Sequence, residues 1–280
     1  MTLDSHQHFW KFDPIRDSWI DDSMKAIQKD FLPKDLKQEL DKKGIEGCIA
    51  VQADQSDAET QFLLRLAKEN PWINGVVGWV DLSSSDLERK LEYYLEERKL
   101  VGFRKILQAL PPTAMEDNSF LDGMGLLSKF GFTYDILIFP GHLENAFQLA
   151  KQFPEMNFVV DHLAKPDIRS GEFDYWSKGI QKMATLPNIF CKVSGMVTEA
   201  DWKKWKNDDF RPYLNHITEC FGTERLMYGS DWPVCLLAGS YSQVYDLAFE
   251  FYKDFSPEEK ENIFGNNACS FYKIKDALRN

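Results

Sequence analysis

The feature that most constrains this chain is an alternation. Short runs rich in β-branched and apolar residues recur at intervals of roughly 25 to 35 residues, and a charged stretch with helical periodicity follows each one. Eight such runs fit, at 2–8, 45–53, 73–82, 101–107, 132–139, 157–162, 189–194 and 226–230. The stretches between them carry helix signals: 57–69 and 84–98 both open on Ser or Asp in capping positions and space their leucines by three and four. Strand and helix in repeated succession predict an α/β fold, the (β/α)8 TIM barrel. No Gly-, Ser- or Pro-rich linker divides the chain, so residues 1–280 are expected to form a single barrel with one long first connection at 9–34.

Composition narrows the partners. With 44% hydrophobic and 14% aromatic residues the chain can fill one large core. A net charge of −11, without a basic run interleaved with aromatics, argues against nucleic acid. The first eight residues lack the basic and apolar segments of a signal peptide, and no apolar run approaches the roughly 18 to 20 residues that span a bilayer. A cytoplasmic protein with no membrane partner is the expectation, and a homo-oligomer is compatible with it. Five scattered cysteines with no C-x-x-C pair read as reduced, structural thiols.

The polar residues inside the apolar runs point to chemistry. Side chains alternate along a strand, so Asp4, His6 and His8 are expected on one face, ending at the strand's carboxyl end, where barrels of this kind carry their active sites. Gln52, Asp54, Arg104, Lys105, Tyr134, Asp135, His162, Lys192, Ser194 and Asp231 fall in or just after later strands. Closure of the barrel would set the last strand beside the first and bring Asp231 to His6 and His8 across more than two hundred residues. Three imidazoles and a carboxylate suit one divalent ion, zinc by ligand type, which lowers the pKa of a bound water to about 7. Without a metal, Asp231 could serve as general base while Arg104, Lys105 or the histidines face an oxyanion. Both routes lead to hydrolysis. His142 follows the fifth run, where it either binds metal or substrate or caps a turn; His216 reads as a packing residue.

Five motifs in consistent order carry a resemblance: Asp-Ser-His-Gln-His-Phe-Trp at 4–10, Trp-Ile-Asp-Asp-Ser-Met at 19–24, Phe-Leu-Pro at 31–33, Asp-His-Leu-Ala-Lys-Pro at 161–166 and Tyr-Gly-Ser-Asp-Trp-Pro at 228–233. From about Leu3 to Tyr272 the chain resembles the amidohydrolase-related family, most of all its sugar-lactone hydrolase branch. The resemblance implies a (β/α)8 barrel, hydrolysis of an aldonolactone such as L-fuconolactone or L-rhamnonolactone, and a site matching His6, His8, His162 and Asp231, with Arg104 toward substrate. Metal-dependent and metal-free catalysis both occur among such relatives. The carbamylated lysine of binuclear relatives has no counterpart, because Lys105 would share its face with Phe103 and not Arg104. Trp10 and Trp19, in the long first connection, are expected to fold over the mouth and offer aromatic faces to a sugar; Tyr134 and His142 are the other expected substrate contacts. A related chemistry, metal-dependent non-oxidative decarboxylation of an unsaturated acid, is the alternative.

Overall fold

The computed structural model describes residues 1–274; the last six of the expected 1–280 barrel lie outside the described residues. Eight strands form one parallel sheet in chain order: β1 (Leu3–Gln7), β2 (Gly47–Val51), β3 (Ile73–Gly78), β4 (Leu100–Ile106), β5 (Thr133–Leu137), β6 (Phe158–Val160), β7 (Ile189–Val193) and β8 (Leu226–Tyr228). The covering helices are α1 (Pro33–Lys43), α2 (Asp57–Glu69), α3 (Leu87–Tyr94), α4 (Asn118–Phe130), α5 (Leu143–Gln152), α6 (Asp174–Ala184), α7 (Asn207–Phe221) and α8 (Tyr241–Phe251). This is the (β/α)8 barrel that the alternation predicts. Helix α2 starts where expected, capped by the Ser56 hydroxyl on Glu59 N–H at 3.1 Å. Helix α3 is shorter than expected because Ser84 and Asp86 hydrogen-bond to each other at 2.5 Å, so the capping residues form a turn of their own. No helix among the described residues is long and apolar enough to cross a membrane.

The ring closes just past the end of β8. Asp231 N–H donates to the His6 carbonyl at 2.8 Å, and His8 N–H donates to the Trp232 carbonyl at 2.7 Å. Inside the barrel Leu3, Ile49, Val51, Val77, Val159 and Met227 form one apolar cluster, which, after the short helix α9 (Pro257–Glu261), helix α10 (Asn267–Phe271) helps to complete through Ala268, Cys269 and Phe271. Asn267 anchors this terminal segment: its amide donates to the carbonyls of Thr223 and Leu226 at 2.7 Å each.

One expectation about β1 is corrected. Asp4 pairs with Cys48 and Gln7 with Ala50, three steps on β1 against two on β2, so the strand carries a bulge between them. Simple alternation therefore fails. Leu3 faces the barrel interior, whereas Asp4 turns toward α8 and accepts from Tyr241 Oη at 3.0 Å, Ser230 N–H at 2.9 Å and His6 N–H at 3.1 Å. Burial pushes the Asp4 carboxyl up to about 6, against the pull of those donors. Past the bulge, His6 and His8 face inward.

Asp4 thus ties β1, the end of β8 and α8 together. Asp4→Ala would leave the Ser230 N–H and the Tyr241 hydroxyl buried without a partner, and urea unfolding is expected to show a loss of about 2–4 kcal/mol. Tyr241→Phe, which removes one of the three bonds, should cost about 1 kcal/mol; an equal loss in both variants would mean that the bonds from Ser230 and His6 contribute nothing.

Candidate active site

Four of the expected residues converge at the carboxyl end of the barrel. His6 Nε2 and His8 Nε2 lie 3.3 Å apart, Asp231 Oδ1 is 3.4 Å from His8 Nε2 and 3.8 Å from His162 Nε2, and the His6 and His162 ring centres are 4.3 Å apart. All four residues are at most 4% exposed. His8 is oriented by its Nδ1, which donates to the Val51 carbonyl at 2.8 Å and so leaves the Nε2 lone pair toward the centre. Ser194 Oγ stands 2.8 Å from His162 Nδ1 and can serve either tautomer of that ring.

The local backbone is unusual. After β6, residues His162, Leu163, Ala164 and Lys165 all have positive φ, between 49° and 59°. Left-handed geometry costs non-glycine residues about 1–2 kcal/mol each. The turn is held by Lys165 N–H on the His162 carbonyl at 2.7 Å and by Trp176 Nε1 on the Leu163 carbonyl at 2.6 Å. Its consequence is that two adjacent side chains, Asp161 and His162, both reach the barrel interior. Two glycines make room: a Cβ on Gly195, whose φ is +62°, would lie 2.5 Å from His162 Nδ1, and one on Gly229 would lie 2.6 Å from the His6 Cβ.

Beneath the histidines runs a buried ionic ladder. Tyr272 Oη donates to Asp135 at 2.8 Å; Lys192 Nζ bonds Asp135 at 2.5 Å, Asp161 at 3.1 Å and His6 Nδ1 at 3.1 Å. Arg104 Nη1 bonds Asp161 at 3.0 Å, and its Nη2 donates to the Gln52 carbonyl. Burial drives Asp135 up to about 6 despite Lys192. Burial works the same way on Asp161, but Lys192, His6 and Arg104 outweigh it and hold that carboxyl well below the usual range. Burial keeps His6 and His162 uncharged at neutral pH, pushing His162 down to about 4. Asp231 is pushed up by burial but held below the ordinary carboxylate range by the surrounding imidazoles.

The donor set passes a fit test for one divalent ion. With zinc–nitrogen bonds of about 2.0–2.1 Å, tetrahedral ligand atoms stand about 3.3–3.4 Å apart, close to the His6–His8 and His8–Asp231 separations of 3.3 and 3.4 Å. With Nδ1 bonded to the Val51 carbonyl, His8 turns the Nε2 edge of its ring toward the Asp231 carboxylate at 3.4 Å, where a cation between the two would find a lone pair on each. Arg104 Nη1, 3.3 Å from His6 Nε2, competes for that ring's lone pair. The second candidate group, His6, Asp161 and His162, fits less well, since Asp161 is already neutralised by Arg104 and Lys192.

A family model described as amidohydrolase matches residues 3–274. The chain belongs to the amidohydrolase family. It is 35% identical to the L-fucono-1,5-lactonase of Burkholderia multivorans, over 99% of this chain and 97% of the relative. It is 33% identical to the L-fucono-1,5-lactonase of Burkholderia ambifaria, over 97% of this chain and 95% of that one. A crystal structure of an amidohydrolase from Burkholderia multivorans with bound zinc superposes with a TM-score of 0.93 at 35% identity, covering 98% of this chain and 99% of the other.

In this amidohydrolase the remaining expected residues have mixed placements. Trp10 is buried, with its ring centre 6.5 Å from that of His8, and Trp19 stacks edge-on against it at 6.1 Å while staying 43% exposed. The first connection is pinned at its base by reciprocal bonds between Trp10 and Phe31, of 3.0 and 2.9 Å, and its 22–27 segment packs against 234–237, just beyond Asp231. His142 sits after β5 with Nε2 donating to the Leu110 carbonyl at 2.9 Å; its buried Nδ1 has no hydrogen-bond partner among the described residues. Tyr134 is not brought to the cluster. Its ring packs outward against Phe120 and Phe158, and alternation places its neighbour Asp135 inside instead. Lys105 also faces out, over Phe120, as its shared face with Phe103 requires. Arg104 is inside, but its terminal nitrogens are committed to Asp161, Gln52 and His6, and its Nε has no hydrogen-bond partner among the described residues. His216 is a packing residue between Phe173 and Trp176. Sequence reasoning missed Asp161, although it adjoins His162 in a quoted motif, because plain alternation sends neighbours to opposite faces.

Removing the ladder's central cation should be costly. Lys192→Met would leave Asp135 and Asp161 buried without it, and denaturant unfolding is expected to show a loss of about 3–5 kcal/mol. A loss below about 1 kcal/mol would mean that the two carboxyls are neutral or hydrated in the native protein.

Proposed function

We propose that this amidohydrolase opens an aldonolactone with water, L-fucono-1,5-lactone being the first substrate to test. The observation that carries the reading is the placement of an ionised Asp231 between His8 and His162 at the closed mouth of the barrel. The names of the two relatives matched over nearly their full length supply the substrate class.

The reaction needs a base, a sink for oxyanion charge and a proton for the leaving group. Asp231 takes a proton from the attacking water, whose oxygen adds to the lactone carbonyl carbon. Charge growing on the carbonyl oxygen is met by the positive field of Arg104, whose Nε is unpaired, in a site where little water screens it. The ring C–O bond then breaks, and the proton held by Asp231 passes to the departing alkoxide, giving the hydroxy acid. His6 and His8 position Asp231 and the water, and Trp10 and Trp19 cover the sugar; His142 Nδ1 is free to accept from a substrate hydroxyl. A divalent ion, zinc by ligand chemistry, would be held by His8 and Asp231 with His6 or His162, and when bound it supplies Lewis acidity and a lowered water pKa.

Acid release from a panel of aldonolactones, followed with a pH indicator, tests the reading. Asp231→Asn is expected to lower kcat by about 10²–10⁴-fold. If the wild-type protein opens no lactone above background, the reading falls and the decarboxylase alternative takes its place. Metal analysis after dialysis against zinc is expected to find about one ion per chain, and much less in His8→Ala, which loses a ligand; equal content in both would place the metal elsewhere.

A further inference from the structure

The left-handed turn that brings His162 inward also fixes the residue at its end. Lys165, with φ of 49°, is held by the hydrogen bond from its own N–H to the His162 carbonyl. Its ammonium lies 5.6 Å over the ring of Phe139, at the carboxyl end of β5, and 3.6 Å from Glu199 Oε1, which follows β7. Both charged side chains are 19% exposed, and the Phe139 residue is 41% exposed. All three belong to the same end of the barrel as the reacting cluster. Burial lowers the pKa of His162, with the charge of Lys165 adding to it, and burial raises that of Glu199, with the charge of Asp231 adding to it.

The separation of the pair is informative. A charge-assisted hydrogen bond is about 2.7–2.9 Å long, so at 3.6 Å the ammonium and carboxylate leave donor and acceptor capacity unspent toward a third group. A sugar hydroxyl is suited to that gap, because it donates to a carboxylate and accepts from an ammonium at once. The partly exposed aromatic ring beside the pair suits the apolar face of the same sugar.

We propose that Lys165, Glu199 and Phe139 form a hydroxyl-reading subsite at the rim of the barrel mouth, which selects polyhydroxylated substrates over plain lactones. The proposal rests on the sugar-lactone reading above and adds to it the residues that recognise the sugar. Glu199 accepts from a ring hydroxyl, Lys165 donates to the same or the adjacent one, and Phe139 packs against the ring carbons. None of the three takes part in bond making; they position the substrate.

Calorimetric titration of the protein with L-fuconate, the ring-opened acid, tests the subsite without needing turnover. Wild type is expected to bind it, and Lys165→Met, Glu199→Gln and Phe139→Ala are each expected to weaken binding tenfold or more, with unfolding temperatures near that of wild type. Glu199→Gln decides the matter. If the rim instead captured the ligand's carboxylate through Lys165, removing the negative charge of Glu199 would leave binding unchanged or tighten it, and the proposal would be overturned. It is equally overturned if wild type binds no L-fuconate. The lactone assay stands apart: a protein that binds L-fuconate through the rim but opens no lactone would retain the subsite and lose the proposed reaction.

Discussion

The site depends on barrel closure. Two backbone hydrogen bonds, Asp231 N–H to the His6 carbonyl and His8 N–H to the Trp232 carbonyl, join the segment after β8 to β1. They set the last functional carboxylate beside the first pair of histidines, and the alternation between bonded backbone and inward side chains fixes where each group lands. The bulge in β1 makes this register productive: without the extra residue, Leu3 and His6 could not both face the interior. Asp4, turned outward by the same bulge, then uses its carboxylate to secure Ser230 and Tyr241, so one irregularity serves both the site and the clamp behind it.

Charge beneath the histidines sets what the site can hold. Asp135, Asp161 and Asp231 share the interior with Arg104 and Lys192, three carboxyls against two fixed cations. Burying an unpaired charge is costly, so a proton on Asp135, which burial pushes up to about 6, relieves the imbalance in mild acid, and a cation near Asp231 would relieve it at neutral pH. The uncharged state of His6 and His162 belongs to the same balance, since additional positive charge there would oppose Arg104 and Lys192. A neutral imidazole and an ionised Asp231 are what water activation needs at neutral pH.

Much of this was legible in the residues. The eight strands fall within a few positions of the apolar runs, because a buried parallel strand has to be a short β-branched stretch followed by a helix. His6, His8, His162 and Asp231 were readable as polar interruptions at strand ends, and their adjacency followed from closure. Tyr134 misled because a tyrosine in a strand fits either the interior or the helix-facing layer, and only the register decides. Asp161 and Lys165 were not read as site residues for another reason. Their placement depends on a left-handed turn that contains no glycine, so no residue type announces it.

That turn raises the question of what sustains it. Four left-handed non-glycine residues cost about 4–8 kcal/mol together, comparable to the whole net stability of many domains. An ordinary continuation of β6 would avoid the cost but would send Asp161 and His162 to opposite faces. Alternation from the inward Val159 would keep Asp161 beside Arg104 and Lys192 and turn His162 out toward the helices, away from Asp231. The left-handed turn is held by Lys165 N–H on the His162 carbonyl and by Trp176 Nε1 on the Leu163 carbonyl, two bonds that a continued strand would break. The return on the strain is the simultaneous placement of His162 at the reacting centre and Lys165 at the rim.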